Sequence, residues 1–217
     1  MPITQRLIAV ALFVATLFMG AAYAQDKGYY LGVGAGGSKA RQPNDCSTPP
    51  GIGSSSCSIG DTSTGWKLFG GYQFNPSLAL EVAYVDLGKF KTTIGLTGVG
   101  GASIGDLSAT FHPTGYSADV VGTLALGTSF GLLGRIGVFR WTLDASSSGN
   151  ASLPGIADPF HDKVTGYNID FGVGAKWDFT RNLGARVEFQ RFPKIGNNDT
   201  GKSDVDLLSA SLLFRFD

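Results

Sequence analysis

The stretch Gly65–Gly88, GWKLFGGYQFNPSLALEVAYVDLG, constrains the fold more strongly than any other part of the 217-residue chain. Its two halves each alternate in side-chain character with a period of two, and the short segment Asn75-Pro76-Ser77 joins them. Successive side chains of a strand point to opposite faces, so alternation on both sides of a short polar connection predicts a β-hairpin.

The two faces of this hairpin differ in kind. One face is aliphatic with aromatic residues towards its ends, and the other combines glycine and alanine with isolated charges such as Lys67 and Glu81. In a soluble sandwich the apolar face would form the core. In a membrane barrel it would face lipid, and the small and charged residues would fill the interior. The hairpin alone leaves both alternatives open.

The N-terminal segment indicates export. Within Met1–Ala24 the only charged residue is Arg6, which precedes an apolar run and the tripeptide Ala22-Tyr23-Ala24. This order is typical of a secretory signal peptide cleaved after Ala24. The apolar run is short for a membrane-anchor helix, which is the alternative. We therefore predict a signal peptide over residues 1–24. Residues 25–217 form the exported domain, and their strand pattern indicates an outer-membrane barrel.

The alternation of the hairpin recurs along the exported chain and predicts eight strands. Two lie within Gly65–Gly88, and the other six are Tyr29–Ser38, Tyr116–Leu126, Phe130–Trp141, Tyr167–Phe179, Leu183–Phe192 and Val205–Phe216. Long and short connections alternate between them, and the long ones are Lys39–Thr64, Lys89–Thr114, Leu143–Thr165 and Pro193–Ser203. Within the second, Thr92–Thr97 alternates weakly, which predicts that it extends the strands above the membrane. Long loops on one side and short turns on the other are typical of bacterial outer-membrane barrels. The predicted fold class is all-β, an eight-stranded antiparallel transmembrane β-barrel with up-and-down meander topology.

The segment Tyr167–Phe179 argues against a soluble barrel. Seven apolar residues share one of its faces, whereas Asp170, Lys176 and Asp178 lie on the other. A soluble barrel would bury these charges or leave the seven apolar side chains in water, while a membrane barrel would place the apolar face against lipid. Aromatic residues also fall at both predicted interfaces, where membrane proteins concentrate them. They are Phe74, Phe130, Phe179, Phe214 and Phe216 on the short-turn side, and Trp66, Tyr84, Tyr116 and Tyr167 on the other.

The predicted interior contains equal numbers of charges of each sign. The cations are Lys67, Arg135, Lys176, Arg186 and Arg215, and the anions are Glu81, Asp119, Asp170, Asp178 and Glu188. Buried charges are tolerated when they are paired, so this balance predicts a salt-bridge network. An eight-stranded barrel has just enough room inside for side chains. A packed plug is the favoured interpretation, and a gated path for water or ions is the alternative.

Two cysteines, Cys46 and Cys57, lie in the first long loop. In an exported protein such a pair predicts a disulfide bond. The alternative, a reactive or metal-binding pair, lacks a nearby histidine.

The sequence predicts no enzyme, metal site or cofactor. The two histidines, His112 and His161, fall in predicted loops, and no predicted wall strand supplies one for catalysis. A loop metal site formed by Asp158, His161 and Asp162 is less favoured than ordinary solvated polarity. The 17 basic and 17 acidic residues balance, and no basic patch indicates a nucleic-acid partner.

Three stretches resemble the transmembrane domain of the outer-membrane protein A (OmpA) family and its small-barrel relatives. They are GGYQFNPSLALEVAYVDLG at Gly70–Gly88, GARVEFQ at Gly184–Gln190, and LLSASLLFRF at Leu207–Phe216. The resemblance implies an eight-stranded barrel that stabilises the outer membrane. Some members of the family form small pores or contact host surfaces and phage through their loops.

The resemblance also assigns residues to a charged gate across the barrel. Glu81 matches the gate glutamate and Arg186 its arginine partner, with Glu188 following in the same motif. Ala125 stands where the family has a gate lysine, and Lys176 stands where it has a glutamate, so the pattern of signs is rearranged. The chain ends in Phe216-Asp217 rather than on an aromatic residue, and the peptidoglycan-binding domain of longer relatives is not expected.

The predicted function is therefore that of a monomeric structural protein of the bacterial outer membrane, with four extracellular loops available for surface interactions. A narrow gated pore and a loop-dependent adhesin or receptor are the alternatives. The predicted partners are outer-membrane lipids and lipopolysaccharide, the barrel insertion machinery through the C-terminal strand, and host or phage surface ligands.

Overall fold

A computed structural model of the chain describes residues 27–41, 53–97, 103–149, 161–197 and 201–216. Within these ranges the chain forms ten strands: β1 (Gly28–Arg41), β2 (Gly53–Gly60), β3 (Thr62–Asn75), β4 (Leu78–Asp86), β5 (Phe90–Thr97), β6 (Ser103–Ala125), β7 (Phe130–Gly149), β8 (His161–Asp178), β9 (Leu183–Ile195) and β10 (Ser203–Arg215). In the same ranges no helix is long and apolar enough to span a bilayer. The signal peptide predicted over residues 1–24 lies outside the described residues and stays a prediction.

Eight of these strands close into a ring, which confirms the predicted eight-stranded antiparallel barrel. The order around the ring is β6-β4-β3-β1-β10-β9-β8-β7, and β7 pairs back onto β6. The first and last strands meet in the pairing Val33↔Leu212, and the β6–β7 pairing includes Val120↔Ile136. Closure gives every strand of the ring two hydrogen-bonded neighbours, which lipid requires because it cannot satisfy a free strand edge.

The other two strands correct the prediction that the long connections are loops. Strand β2 lies in the segment predicted as loop Lys39–Thr64, and β5 lies in the segment Lys89–Thr114. Strand β5 contains Thr92–Thr97, so the predicted extension of the strands at that part is confirmed. They pair with each other, and β5 also pairs with the first part of β6, as in Ile94↔Leu107. These segments are rich in serine, threonine and glycine because they project beyond the lipid. Without a lipid-facing side, they show little apolar alternation to mark them as strands.

The other two long connections are also shorter than predicted. Strand β7 continues to Gly149 and β8 already begins at His161, so strands occupy both ends of the predicted loop Leu143–Thr165. Similarly, β9 continues to Ile195, inside the predicted loop Pro193–Ser203. The barrel therefore extends well beyond the membrane on its long-connection side.

The outer wall of the barrel is apolar and exposed. Val82, Ile136 and Val173 have 59%, 59% and 63% of their surface accessible. Such a continuous band is unfavourable in water and matches the lipid-facing wall of an outer-membrane barrel.

Contacting aromatic rings lie at both ends of this wall. Towards the long connections, Tyr84 contacts Trp66 and Tyr116, with ring centroids 5.4 and 5.2 Å apart. We call Trp66, Tyr84, Tyr116 and Tyr167 the extracellular belt. Towards the short turns, Phe130 stacks on Trp177 and Phe214 contacts Phe216. Aromatic side chains at two levels mark the two membrane interfaces.

Candidate functional site: the charged lumen

The inward faces of the wall strands bring six charged side chains together at the centre of the lumen. Because side chains alternate along a strand, a charge flanked by outward apolar neighbours must point inwards. All six residues are buried: Lys67 on β3, Glu81 on β4, Asp119 on β6, Arg135 on β7, and Arg186 and Glu188 on β9. We call these six residues the central network.

Arg135 is the centre of this network. Its Nη2 atom lies 2.9 Å from Oε1 of Glu81 and 2.5 Å from Oδ2 of Asp119. Its Nη1 atom lies 3.1 Å from Oε1 of Glu188. One guanidinium group therefore bridges carboxylates from three strands, using the several donors that make arginine suited to such sites.

Two further cations and a tyrosine complete the central network. The Nζ atom of Lys67 lies 2.7 Å from Oε2 of Glu188, and Nη1 of Arg186 lies 2.7 Å from Oε2 of Glu81. The hydroxyl group of Tyr30 donates a hydrogen bond of 3.0 Å to the same Glu81 oxygen. Charges of opposite sign thus alternate across the lumen, and each charged side chain lies within 3.1 Å of a partner of opposite sign. The network contains both residues matched to the family's gate pair, Glu81 and Arg186.

Asp170 lies beside this network but has a neutral partner. Its Oδ2 atom accepts a hydrogen bond of 2.6 Å from Nε2 of Gln190. Asp119 also accepts one, of 2.8 Å, from the hydroxyl group of Ser117. An inward amide or hydroxyl group can therefore serve a buried carboxylate, a possibility that counting charges alone does not reveal.

The remaining predicted charges form a second cluster near the short turns. Asp178 Oδ2 lies 3.3 Å from Nζ of Lys176, and its Oδ1 lies 2.6 Å from Nη2 of Arg215. Lys176 is level with Arg186 in the β8–β9 pairing but forms its ion pair on its own strand. The ten charges therefore divide into a central network, a nearby Asp170 and a periplasmic cluster.

An apolar layer, which the sequence interpretation missed, lies inside the barrel on the extracellular side of the central network. Its members are at most 1% exposed: Val85, Leu87, Phe139, Phe192 and Leu207. The rings of Phe139 and Phe192 meet with centroids 4.6 Å apart. The alternation of side chains between the two faces of a strand is the signal that could have revealed this layer. Phe139, for example, is four residues after Arg135 and must point to the same side.

Inward glycines provide the space that these large side chains occupy. A Cβ atom on Gly71 would lie 2.5 Å from the ring of Tyr30, and one on Gly137 would lie 2.3 Å from Oδ1 of Asp119. Glycine makes up 32 of 217 residues, about twice its average share of roughly 7%. At these two positions the absence of a side chain allows a neighbour to lie flat against the wall.

A separate ion cluster lies on the outer surface, beyond the extracellular belt. Asp206 accepts hydrogen bonds of 2.8 Å from Arg41 and of 2.6 and 2.9 Å from Arg191, joining β1, β10 and β9. In the backbone register of β1 and β10, Asp206 lies opposite Lys39. Lys39 is four residues beyond Ala35, which lies opposite Trp66 of the extracellular belt, so the cluster is farther from the membrane than the belt. Burial alone would raise the pKa of Asp206, but the hydrogen bonds from Arg191 and Arg41 hold this pKa below its usual value.

This cluster should stabilise the barrel in a pH-dependent way. A carboxyl group whose pKa is lowered by folding contributes stability above its unfolded pKa of about 3.9, and that contribution is lost as the pH falls through the lower, folded pKa. We expect Asp206→Asn to destabilise the barrel by about 1 kcal/mol at pH 7 and by progressively less below pH 4. Urea unfolding of both proteins between pH 7 and pH 2.5 measures this difference.

Asp162→Asn is the control for this prediction. Asp162 is exposed, and within the described ranges its carboxylate accepts a local bond from the backbone of Lys163 and forms no ion pair. Its effect should stay near zero throughout. An Asp206→Asn effect that remained constant down to pH 2.5 would contradict the role assigned to the ionised carboxylate.

Cys57, His112 and His161 lie in the extracellular part of the molecule. Cys57 lies on β2, while Cys46 lies outside the described residues, so the disulfide bond stays a prediction. The placement of both histidines in loops was wrong. His112 lies within β6, where its Nε2 atom is 2.9 Å from Oδ1 of Asp86, and His161 begins β8. Across the described ranges, no three potential ligands gather in a metal-binding arrangement.

A closed barrel with an apolar wall, two aromatic belts and paired charges inside defines an integral β-barrel protein of the bacterial outer membrane. Residues 24–217 match the family model of the OmpA-like transmembrane domain. The chain belongs to this family.

Individual relatives agree with this assignment. Outer membrane protein A of Klebsiella pneumoniae is 28% identical over 156 residues, which cover 70% of this chain and 41% of the relative. Outer membrane protein A of Klebsiella aerogenes is 30% identical over 72% of this chain and 40% of the relative. The chain thus spans about two fifths of the length of these curated relatives.

Among solved structures, Neisserial surface protein A matches with a TM-score of 0.50 and 16% identity, over 87% of this chain and 97% of that protein. At this identity, the match shows a shared fold alone.

Proposed function

We propose that this chain is a structural protein of the outer membrane with a closed lumen, acting without enzymatic activity or a cofactor. The apolar wall and its aromatic belts anchor it among membrane lipids, and its extracellular strands and loops are available to surface partners. The observation that supports this proposal is that buried side chains occupy the lumen at two levels. The central network fills the middle of the barrel, and the apolar layer covers its extracellular side.

The apolar layer favours a plug over a gated pore. A charge network alone could open if its pairs exchanged partners, since each ion would find another of opposite sign. Phe139 and Phe192 cannot exchange one ionic partner for another. Moving them apart would expose apolar surface to water in the lumen. A conducting path would therefore need two different rearrangements at once.

Single-channel recording in a planar bilayer tests this proposal. The folded protein, identified by its heat-dependent shift on a gel, is compared with a Glu81→Ala variant. We expect no discrete openings from either protein, because the apolar layer remains in both. Openings in the wild type whose size or frequency changes in Glu81→Ala would overturn the closed-lumen proposal and establish the gated pore. Recovering the folded form from the bilayer confirms that a silent trace comes from an inserted barrel.

The same architecture supports a role at the cell surface. Strands β2 and β5 and the outer part of β6 form a sheet that projects beyond the belt. Host or phage molecules would meet this sheet first. The C-terminal strand β10, which ends the chain's barrel and pairs with β1, is the proposed contact for the insertion machinery, and the barrel is proposed to act as a monomer.

A further inference from the structure

One part of the apolar wall contains a groove. It lies where small residues interrupt the band of large aliphatic side chains, across the pairings Gly70↔Val82↔Ala118↔Val138 of β3, β4, β6 and β7. Leu31 and other aliphatic side chains form its sides, and its volume is about 660 Å³. A groove of this kind within the membrane accommodates a hydrocarbon chain, because it is apolar and open to the lipid.

The extracellular end of the groove carries a positive charge. The next row of the wall, one step towards the long connections, is Tyr84↔Tyr116↔Arg140↔Tyr167. Arg140 is exposed and lies among the lining residues, with its guanidinium carbon 6.0 Å from the centroid of the Tyr167 ring. This arginine therefore stands in the extracellular belt, between two tyrosines and directly above the groove.

Arg140 differs from the other outward arginines near this rim. Arg41 and Arg191 both bind Asp206, whereas no carboxylate among the described residues pairs with Arg140. A cation at the membrane interface gains more from an anionic partner than one in bulk water, because the local dielectric constant is lower. Phosphate is a strong partner for the planar guanidinium group, and neighbouring tyrosine hydroxyl groups can donate further hydrogen bonds to it.

We propose that this groove and Arg140 bind one molecule of lipid A, the phosphorylated and acylated anchor of lipopolysaccharide. An acyl chain lies in the groove over Gly70 and Ala118, and a phosphate group meets Arg140 between Tyr116 and Tyr167. The position of the arginine at the extracellular belt selects a lipid of the outer leaflet. The inference rests on the membrane orientation of the barrel and is independent of whether the lumen is closed.

Native mass spectrometry of the folded protein in detergent, titrated with purified lipid A, tests this site. Arg140→Gln removes the charge and Ala118→Leu fills the groove. The matched controls are Arg181→Gln, at an exposed arginine of a short turn, and Ala210→Leu, at an outward alanine on β10. We expect one retained lipid A per barrel in the wild type and in both controls. Arg140→Gln should weaken binding about fivefold, as expected for the loss of one interfacial cation contact. Ala118→Leu should also weaken binding, because the added side chain occupies the space of the acyl chain.

Three results would overturn the proposal. The first is unchanged binding in Arg140→Gln and Ala118→Leu, and the second is an equal loss in all four variants, since both would indicate association with the wall in general. The third is displacement of lipid A by an equal concentration of phosphatidylglycerol, which would show that the site takes any anionic lipid. All variants must show the heat-dependent gel shift of the folded barrel, so that a loss of binding is measured on folded protein.

Discussion

Replacing Arg135 by methionine is expected to lower the free energy of unfolding by about 3–5 kcal/mol, the typical cost of removing one partner from a buried ion pair. Arg135 is the cation shared by Glu81, Asp119 and Glu188, at distances of 2.5 to 3.1 Å. Methionine has a similar length but no charge or donors. Three buried carboxylates would then depend on Lys67, Arg186 and a few neutral donors, so uncompensated negative charge would remain in the lumen.

Urea unfolding of the refolded barrel in detergent, followed by the gel shift and by tryptophan fluorescence, measures this loss. Arg140→Met is the matched control. It makes the same replacement on the same strand, but Arg140 points outwards and is exposed. Without added lipid A its effect should stay within about 0.5 kcal/mol, as for surface substitutions generally.

A second comparison distinguishes lost ion pairing from lost packing. Lys67→Met removes a peripheral cation that contacts Glu188 alone among the carboxylates of the central network. It should cost less than Arg135→Met, because one carboxylate rather than three loses a partner. Equal losses in the two variants, or a loss below 1 kcal/mol for Arg135→Met, would contradict the central position assigned to Arg135.

Much of the barrel could be predicted from the sequence because lipid imposes one rule on every wall strand. Each outward position must be apolar, so the alternation in β8 from Tyr167 onwards identifies both the strand and its two faces. The rule ends at the membrane surface. Strands β2 and β5 are stabilised by backbone pairing in water, which Ser-Thr-Gly sequences satisfy with little or no pattern. Strand β2 was therefore predicted as a loop, and β5 left only the weak alternation of Thr92–Thr97.

In the lumen, the direction of each charged side chain could be predicted from the sequence, but its ion-pair partner could not. Strand parity predicts that Lys67, Glu188 and Lys176 point inwards, because that depends on neighbours in the same strand. Their partners depend on the register of each strand relative to the others around the ring, and the sequence of one strand does not determine this register. Thus Lys67 on β3 reaches Glu188 on β9, with β1 and β10 between them in the wall, whereas Lys176 pairs with Asp178 two residues away.

Gly137→Val is expected to cost at least about 3 kcal/mol, at the upper end of the range for overpacked sites, and to reduce the yield of folded barrel. A Cβ atom at Gly137 would lie 2.3 Å from the carbonyl oxygen of Ala118 and 2.3 Å from Oδ1 of Asp119. The carbonyl belongs to the neighbouring strand and cannot move alone, so the β6–β7 pairing would have to shift. The carboxylate would also be pushed from the position in which it binds Arg135.

The same strand offers a control that separates this clash from the general effect of valine. Gly134 is outward and exposed, and a Cβ atom there would have nothing within 4 Å. Gly134→Val should leave stability unchanged or raise it slightly, since valine suits a lipid-facing strand better than glycine. Refolding yield and urea unfolding of the two variants are measured side by side. If Gly137→Val folded as well as Gly134→Val, the lumen would have room for an added side chain beside Asp119. The packed plug would then be the wrong description of this barrel.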